Sequence, residues 1–226
     1  MKLNRVLLTS AAVITVAGAA NAADLIVDVP VSEPIAVADT GWYLSVFGGG
    51  VWTDAIEADD GDEIFAFDSD WGWLLGAAVG AQITDNLRGE IEVSHSRLPL
   101  TGLTIDGVDA GPISDGSAAT TYLLGNVWFD IATGSGFTPY IGGGLGASYA
   151  TAAGTADDLV YTVDMSGWGW AYQVGAGVKV DVADNVALDL GYRYKSAVDV
   201  ELEGGGDDAI ADISSHVVQV GVTIGF

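Results

Sequence analysis

The chain has 226 residues, 50% of them hydrophobic, and a formal net charge of -24, because 31 Asp and Glu face 7 Lys and Arg. That balance excludes a nucleic-acid-binding protein, whose affinity rests on neutralising phosphates, and the hydrophobic content excludes a disordered chain. The absence of cysteine removes disulfides, thiolate metal sites and a cysteine nucleophile.

Lys2 and Arg5 precede an apolar run from Val6 to Ala17 and a small-residue exit, Ala20-Asn21-Ala22. This is the organisation of a secretory signal peptide cut after Ala22, and the run is shorter than the ~20 residues that a retained membrane anchor needs. Residues 23–40 contain two prolines and no sustained period, and read as an extended periplasmic lead-in. Cleavage leaves five basic residues: Arg88, Arg97, Lys179, Arg193 and Lys195.

From residue 41 the pattern has a period of two, which predicts strands. Trp42, Leu44, Val46 and Trp52 alternate with Tyr43, Ser45 and Phe47; Trp71, Trp73, Leu75 and Val79 with Gly72, Gly76, Gly80 and Gln82; Ile91 and Val93 with Arg88, Glu90, Glu92 and Ser94. Further on, Leu123, Val127 and Phe129 oppose Tyr122, Asn126 and Asp130, and Ile141 and Leu145 oppose Tyr140, Gly142 and Gly144. Trp168, Trp170, Val174 and Val178 oppose Gln173, Gly175, Lys179 and Asp181, and Leu188, Leu190, Tyr192 and Tyr194 oppose Asp189, Arg193 and Lys195. The last segment sets Val218, Val220, Val222, Ile224 and Phe226 against Gln219, Gly221 and Thr223. Eight strands result. The uncharged stretch Ile131 to Ala156 has the length of a transmembrane helix, but its glycines and Pro139 argue for turn, strand and loop. Gly142, Gly144 and Gly146 lack the following helix that a phosphate-binding loop requires.

Tight connections (Ile83 to Asn86, Ala132 to Gly136, Val182 to Asn185) alternate with long ones near 53–70, 99–116, 151–166 and 197–213. Short inner turns, long outer loops and alternating segments of about ten residues predict an all-β, eight-stranded antiparallel up-and-down transmembrane barrel over residues 41–226. In that arrangement the apolar parity meets lipid and the polar parity fills the lumen, which collects Arg88, Glu90, Glu92, Asp130, Lys179, Asp181, Asp189, Arg193 and Lys195. Exposing such charges to lipid would cost about 2 to 4 kcal/mol per Arg or Lys near the midplane. All seven Trp fall near predicted strand ends; Trp42, Trp52, Trp71, Trp73, Trp168, Trp170 and Tyr194 form the expected aromatic girdle at the headgroup levels. A soluble barrel, with aliphatics inside, is the competing arrangement.

The segment Tyr122-Leu-Leu-Gly-Asn-Val-Trp-Phe-Asp130, then Thr138-Pro-Tyr-Ile-Gly-Gly-Gly-Leu-Gly146, and the alternating end Val218 to Phe226 resemble the small outer-membrane β-barrel family, which includes the OmpA transmembrane domain, the opacity-like porins and the Omp25/Omp31 group. The resemblance implies a Gram-negative outer membrane, and it implies that Val218, Val220, Val222, Ile224 and Phe226 form the signal read by the outer-membrane assembly machinery. No counterpart of OmpA's peptidoglycan-binding domain is expected.

A lumen of eight strands is just wide enough to be filled by side chains. The expectation is a monomeric, non-enzymatic structural and surface-interaction protein without cofactors. A narrow channel is the alternative, because Gly72, Gly76, Ala78, Gly80, Gly142, Gly144, Gly175 and Gly177 would leave room beside the charges. A lipid-modifying enzyme is third: His95 and His216 each lie beside serines, and Ser214 shares a face with His216. The expected partners are membrane lipids and lipopolysaccharide, whose phosphates Arg97 can reach by snorkelling. The acidic segments Asp54 to Glu63 and Asp199 to Asp212 would attract divalent cations diffusely, since the first lacks calcium-loop spacing and no specific metal site is expected.

Overall fold

A computed structural model describes residues 41–59, 61, 64–156, 161–204 and 209–226. The expected signal peptide and lead-in lie outside the described residues, as do Asp60, Asp62, Glu63, Asp207 and Asp208.

Every regular element of the described residues is a strand: β1 (Trp42–Asp59), β2 (Ile64–Ser69), β3 (Gly72–Thr84), β4 (Leu87–Ile105), β5 (Val108–Asp130), β6 (Phe137–Ala156), β7 (Tyr161–Ala183), β8 (Val186–Glu203) and β9 (Ala209–Gly225). They pair antiparallel in the order β2-β1-β3-β4-β5-β6-β7-β8-β9. Pairing of β9 back onto β1, from Tyr43 opposite Gly225 to Asp59 opposite Ile210, closes the sheet. β2 pairs with both β1 and β4, the neighbours of β3, so it continues the β3 position beyond the break at Asp70–Trp71. The nine strands therefore make eight staves.

The staves are longer than the ~10 residues that cross a bilayer. β4 runs through Pro99 to Ile105 and turns at Asp106-Gly107, both at positive φ as a two-residue hairpin turn demands, before β5 begins. Much of what the sequence reads as long loops is thus ladder, extending beyond the lipid-facing belt. Aspartate-rich composition suggested loop, but alternation continues through it. The shift comes at bulges: β1 carries an extra residue between Thr53 and Ile56, β5 between Ser114 and Ser117, and β8 between Ala197 and Val200. Asp115 and Asp199 occupy positive φ at two of these bulges, a conformation Asp tolerates, and the Asp199 amide donates to the Asp212 carboxylate.

At the opposite, inner end the connections are tight: Asp85-Asn86, 131–136 and Asp184-Asn185. Asn86 Nδ2 donates to the Asp130 carbonyl at 2.9 Å and pins one turn to the neighbouring hairpin.

The closing seam leaves no room for a side chain at Gly49. A Cβ there would collide with the Val218 carbonyl and lie 2.7 Å from Gln219 Cα. Gly49→Val is expected to destabilise the barrel by roughly 1 to 3 kcal/mol, the usual cost of overpacking. It should appear as a lower fraction of heat-modifiable, folded protein in unboiled detergent gels.

Candidate functional site

Side chains of one parity line the lumen in three layers. In the innermost layer β4 and β5 bring Arg88 beside Asp130, with Nε 3.0 Å from Oδ1, and Lys179 of β7 reaches the other oxygen at 3.2 Å. Tyr43 donates to Glu90 at 3.0 Å, and Glu90 also accepts from Trp128 Nε1 at 2.7 Å and Asn126 at 3.1 Å. Arg193 lies over the Trp128 ring, 4.2 Å from its centroid, and donates to Tyr140 Oη, which donates in turn to Asp189 at 2.9 Å. Four cations face four anions within this part of the lumen once the middle layer is included.

That middle layer centres on Glu92, 3% exposed. One carboxylate oxygen accepts from Lys195 Nζ and from Ser94 Oγ at 2.8 Å, and the other accepts from Asn126 at 2.9 Å and Gln173 at 2.8 Å. Lys195, 1% exposed, donates also to Ser94 Oγ at 3.1 Å and sits over the Tyr122 ring. Neither charge is left without partners, the condition for burying an ion pair without a large desolvation deficit.

The outer layer is apolar. Val51, Leu74, Leu98 and Val217 pack with Phe47 and Ala78, all at most 8% exposed. Above them Leu100, Ala118, Ala150, Ala197, Val200, Leu202 and Ile213 form a second cluster with Tyr122 and Leu124. Nothing in the single-parity reading of each strand anticipated this plug. The signal was a change of residue type at constant parity: Leu98 and Leu100 of β4 follow Glu92, Ser94 and Ser96 on the inward side, and Val217 of β9 lies on the same side as Gln219.

The small lumenal residues abut large ones. A Cβ added at Gly76 would meet the Phe47 ring, at Gly142 Trp128, at Gly144 Asn126 and at Gly175 Arg193. A cavity of about 30 Å3 bounded by Phe47, Glu92, Trp128, Arg193 and Gln219 has room for about one water. A vestibule of about 540 Å3 at the inner mouth is lined by Tyr43, Arg88, Asp130 and Lys179.

One predicted position differs. Asp181 shares the lumenal parity but is exposed at the vestibule rim, one step beyond the last buried layer of β7, and joins no ion pair among the described residues. Trp128 is 1% exposed and points into the lumen, on the parity of Asn126 and Asp130. Outward-facing residues include Trp42 at the inner end and Trp71, Trp73, Trp168 and Trp170 at the outer end, between 46% and 73% exposed. Trp52 stacks on Trp71 at 4.7 Å and on His216 at 5.3 Å, while Tyr194 meets His216 edge-on at 5.4 Å. Val218, Val220, Val222 and Ile224 point outward along β9, ahead of exposed Phe226.

The histidines sit outside the lumen. His95 Nδ1 is 2.9 Å from Thr121 Oγ1, and His216 Nδ1 is 2.6 Å from Tyr192 Oη, while Ser214 Oγ lies 3.2 Å from Ser196 Oγ. Among the described residues no group of three or more His, Asp and Glu has the arrangement of a metal site.

A family model described as "Outer membrane protein beta-barrel domain" matches residues 9–226. An uncharacterized protein of Brucella suis biovar 1 (strain 1330) is 31% identical over 218 residues, covering 80% of this chain and 77% of the relative. Among solved structures, Neisserial surface protein A superposes with a TM-score of 0.52 at 20% identity, covering 83% of this chain and 98% of that one. OprG from Pseudomonas aeruginosa superposes with a TM-score of 0.50 at 15% identity, covering 83% and 98%. At these identities the two structures testify to the fold.

Unequal support of the two middle-layer charges makes a directional prediction. Glu92→Leu leaves Lys195 with Ser94 as its remaining hydrogen-bond partner, whereas Lys195→Met leaves Glu92 with three donors. E92L is expected to cost about 3 to 5 kcal/mol, K195M distinctly less, and the double variant less than E92L alone. Urea unfolding of the reconstituted barrel followed by Trp fluorescence gives all three values.

Proposed function

The chain belongs to the outer membrane β-barrel family and resides in the cell outer membrane, and from that premise we propose that it is a non-enzymatic structural and surface-interaction protein with a closed lumen. The observation that carries the reading is the stacking of two seals of different kinds. A hydrated ion crossing the barrel would first have to displace the Glu92–Lys195–Gln173–Asn126 cluster, in which the Glu92 carboxylate accepts hydrogen bonds from Lys195, Ser94, Asn126 and Gln173. It would then enter the apolar layer of Val51, Leu74, Leu98 and Val217, which offers it no ligands.

Rim aromatics hold the barrel at its depth in the bilayer, since rings with an apolar body and a polar edge favour the headgroup levels. The outward valines of β9 and terminal Phe226 serve as the recognition strand for the assembly machinery. The barrel acts as a monomer, with its extended outer hairpins presenting Glu57, Asp59, Asp199, Glu201 and Asp212 as an anionic surface that divalent cations screen diffusely.

A narrow channel is the second reading, favoured by the aqueous vestibule that reaches Arg88 and Lys179. Planar-bilayer recordings separate the two. The wild-type barrel is expected to give no stable openings, L74A/L98A to introduce flickering conductance, and R193A to leave the trace unchanged because the apolar layer lies beyond it. Large, steady, salt-filled channels from the wild type would sink the closed-lumen reading.

A further inference from the structure

Of the five basic residues in the barrel, Arg88, Lys179, Arg193 and Lys195 face the lumen, and Arg97 alone among the described residues faces outward. It sits on β4 opposite Trp73, at the outer aromatic level. Among the described residues no carboxylate lies within ion-pair distance of it, and its hydrogen bond is from Nη2 to Ser117 Oγ at 3.2 Å. A cleft of about 680 Å3 opens around the side chain, lined by Trp71 and Trp73 and by Pro99, Gly116 and Ser117 of the β4–β5 extension; Asp115 also lines it. The Trp71 and Trp73 rings are 66% and 46% exposed.

These features fit one kind of occupant. A lone guanidinium on an otherwise anionic exterior is a local attractor for anions, and its planar fork suits a phosphate. The flanking tryptophans set its height at the boundary between headgroups and acyl chains, where a soluble anion would gain nothing from them but a lipid would. We propose that the Arg97 cleft docks the phosphate of a phosphorylated saccharolipid of the outer leaflet, the lipid A class, with Ser117 as a second hydrogen-bonding group and Trp71 and Trp73 packed against the sugar and proximal acyl chains. The site lies on the outer wall and is independent of whether the lumen conducts.

The test places the barrel in phosphatidylcholine nanodiscs doped with either bis-phosphorylated or dephosphorylated lipid A, releases it into mild detergent, and reads the retained lipid by native mass spectrometry. Wild type is expected to retain phosphorylated lipid A. Arg97→Gln should lower that occupancy about tenfold, the scale of one charge-assisted hydrogen bond. Dephosphorylated lipid A should be retained equally weakly by both proteins, and excess inorganic phosphate should leave the wild-type adduct in place. Heat-modifiable migration of R97Q establishes that it is folded, and D115N should retain at least as much lipid as wild type. Equal retention by wild type and R97Q, equal retention of the two lipid forms, or displacement by inorganic phosphate would each overturn the proposal.

Discussion

Hydrocarbon offers no hydrogen-bond partner, so a backbone that crosses it must pair every amide and carbonyl within itself, and a sheet can do so only by closing. The pairing of β9 onto β1 is where that requirement is met. This seam is long, reaching from Tyr43 and Gly225 at the inner end to Asp59 and Ile210 beyond the aromatic level. It also admits no side chain at Gly49, where the two backbones run too close. Closure makes one surface face lipid and the other face a narrow interior, and every later assignment of charge and ring follows from that division.

The division reverses along the strands. In the belt, Leu44, Val46, Ile91, Val93, Leu190 and Val220 point out and Glu92, Asn126 and Lys195 point in. Beyond it, Ile56, Leu100, Val200, Leu202 and Ile213 point in while Glu57, Asp199, Glu201 and Asp212 face water. The outer end is therefore built as a water-soluble barrel set on a membrane barrel. Because side chains alternate with a period of two, one extra residue exchanges the faces. The bulges of β1 and β8 both lie opposite the stretch of β9 around Ile213, and they bring Ile56 and Val200 inward although Leu44 and Leu190, at the same parity, are outward.

Strand positions, the outward face and the short inner turns were legible because each rests on a local pattern. The outer hairpins were not, because Asp-rich and Gly-rich segments are read as loop by composition, while their alternation is weak and its phase changes at the bulges. Pairing across strands is also invisible to a single chain. Arg88 meets Asp130 and Lys195 meets Glu92 at separations of 42 and 103 residues, fixed only by barrel register.

Register also explains why the lumen keeps charges that hydrophobic residues of like volume could replace. A buried pair with satisfied partners contributes little net stability, yet it penalises any arrangement that separates its members. A shift of β8 by one residue would turn Lys195 toward lipid and leave Glu92 facing Tyr194 or Ser196, neither of which can neutralise it. A shift by two would keep Lys195 inside but move it away from Glu92 along the axis, putting Arg193 or Ala197 at its level. The lipid-facing Leu188, Leu190, Tyr192 and Tyr194 of β8 discriminate these registers weakly, since lipid accepts any apolar side chain. The Glu92 cluster discriminates them more strongly, because it draws on β4, β5, β7 and β8 at once: a slip at β5 or β7 removes an amide donor from Glu92, and a one-residue slip at β4 or β8 removes its cation.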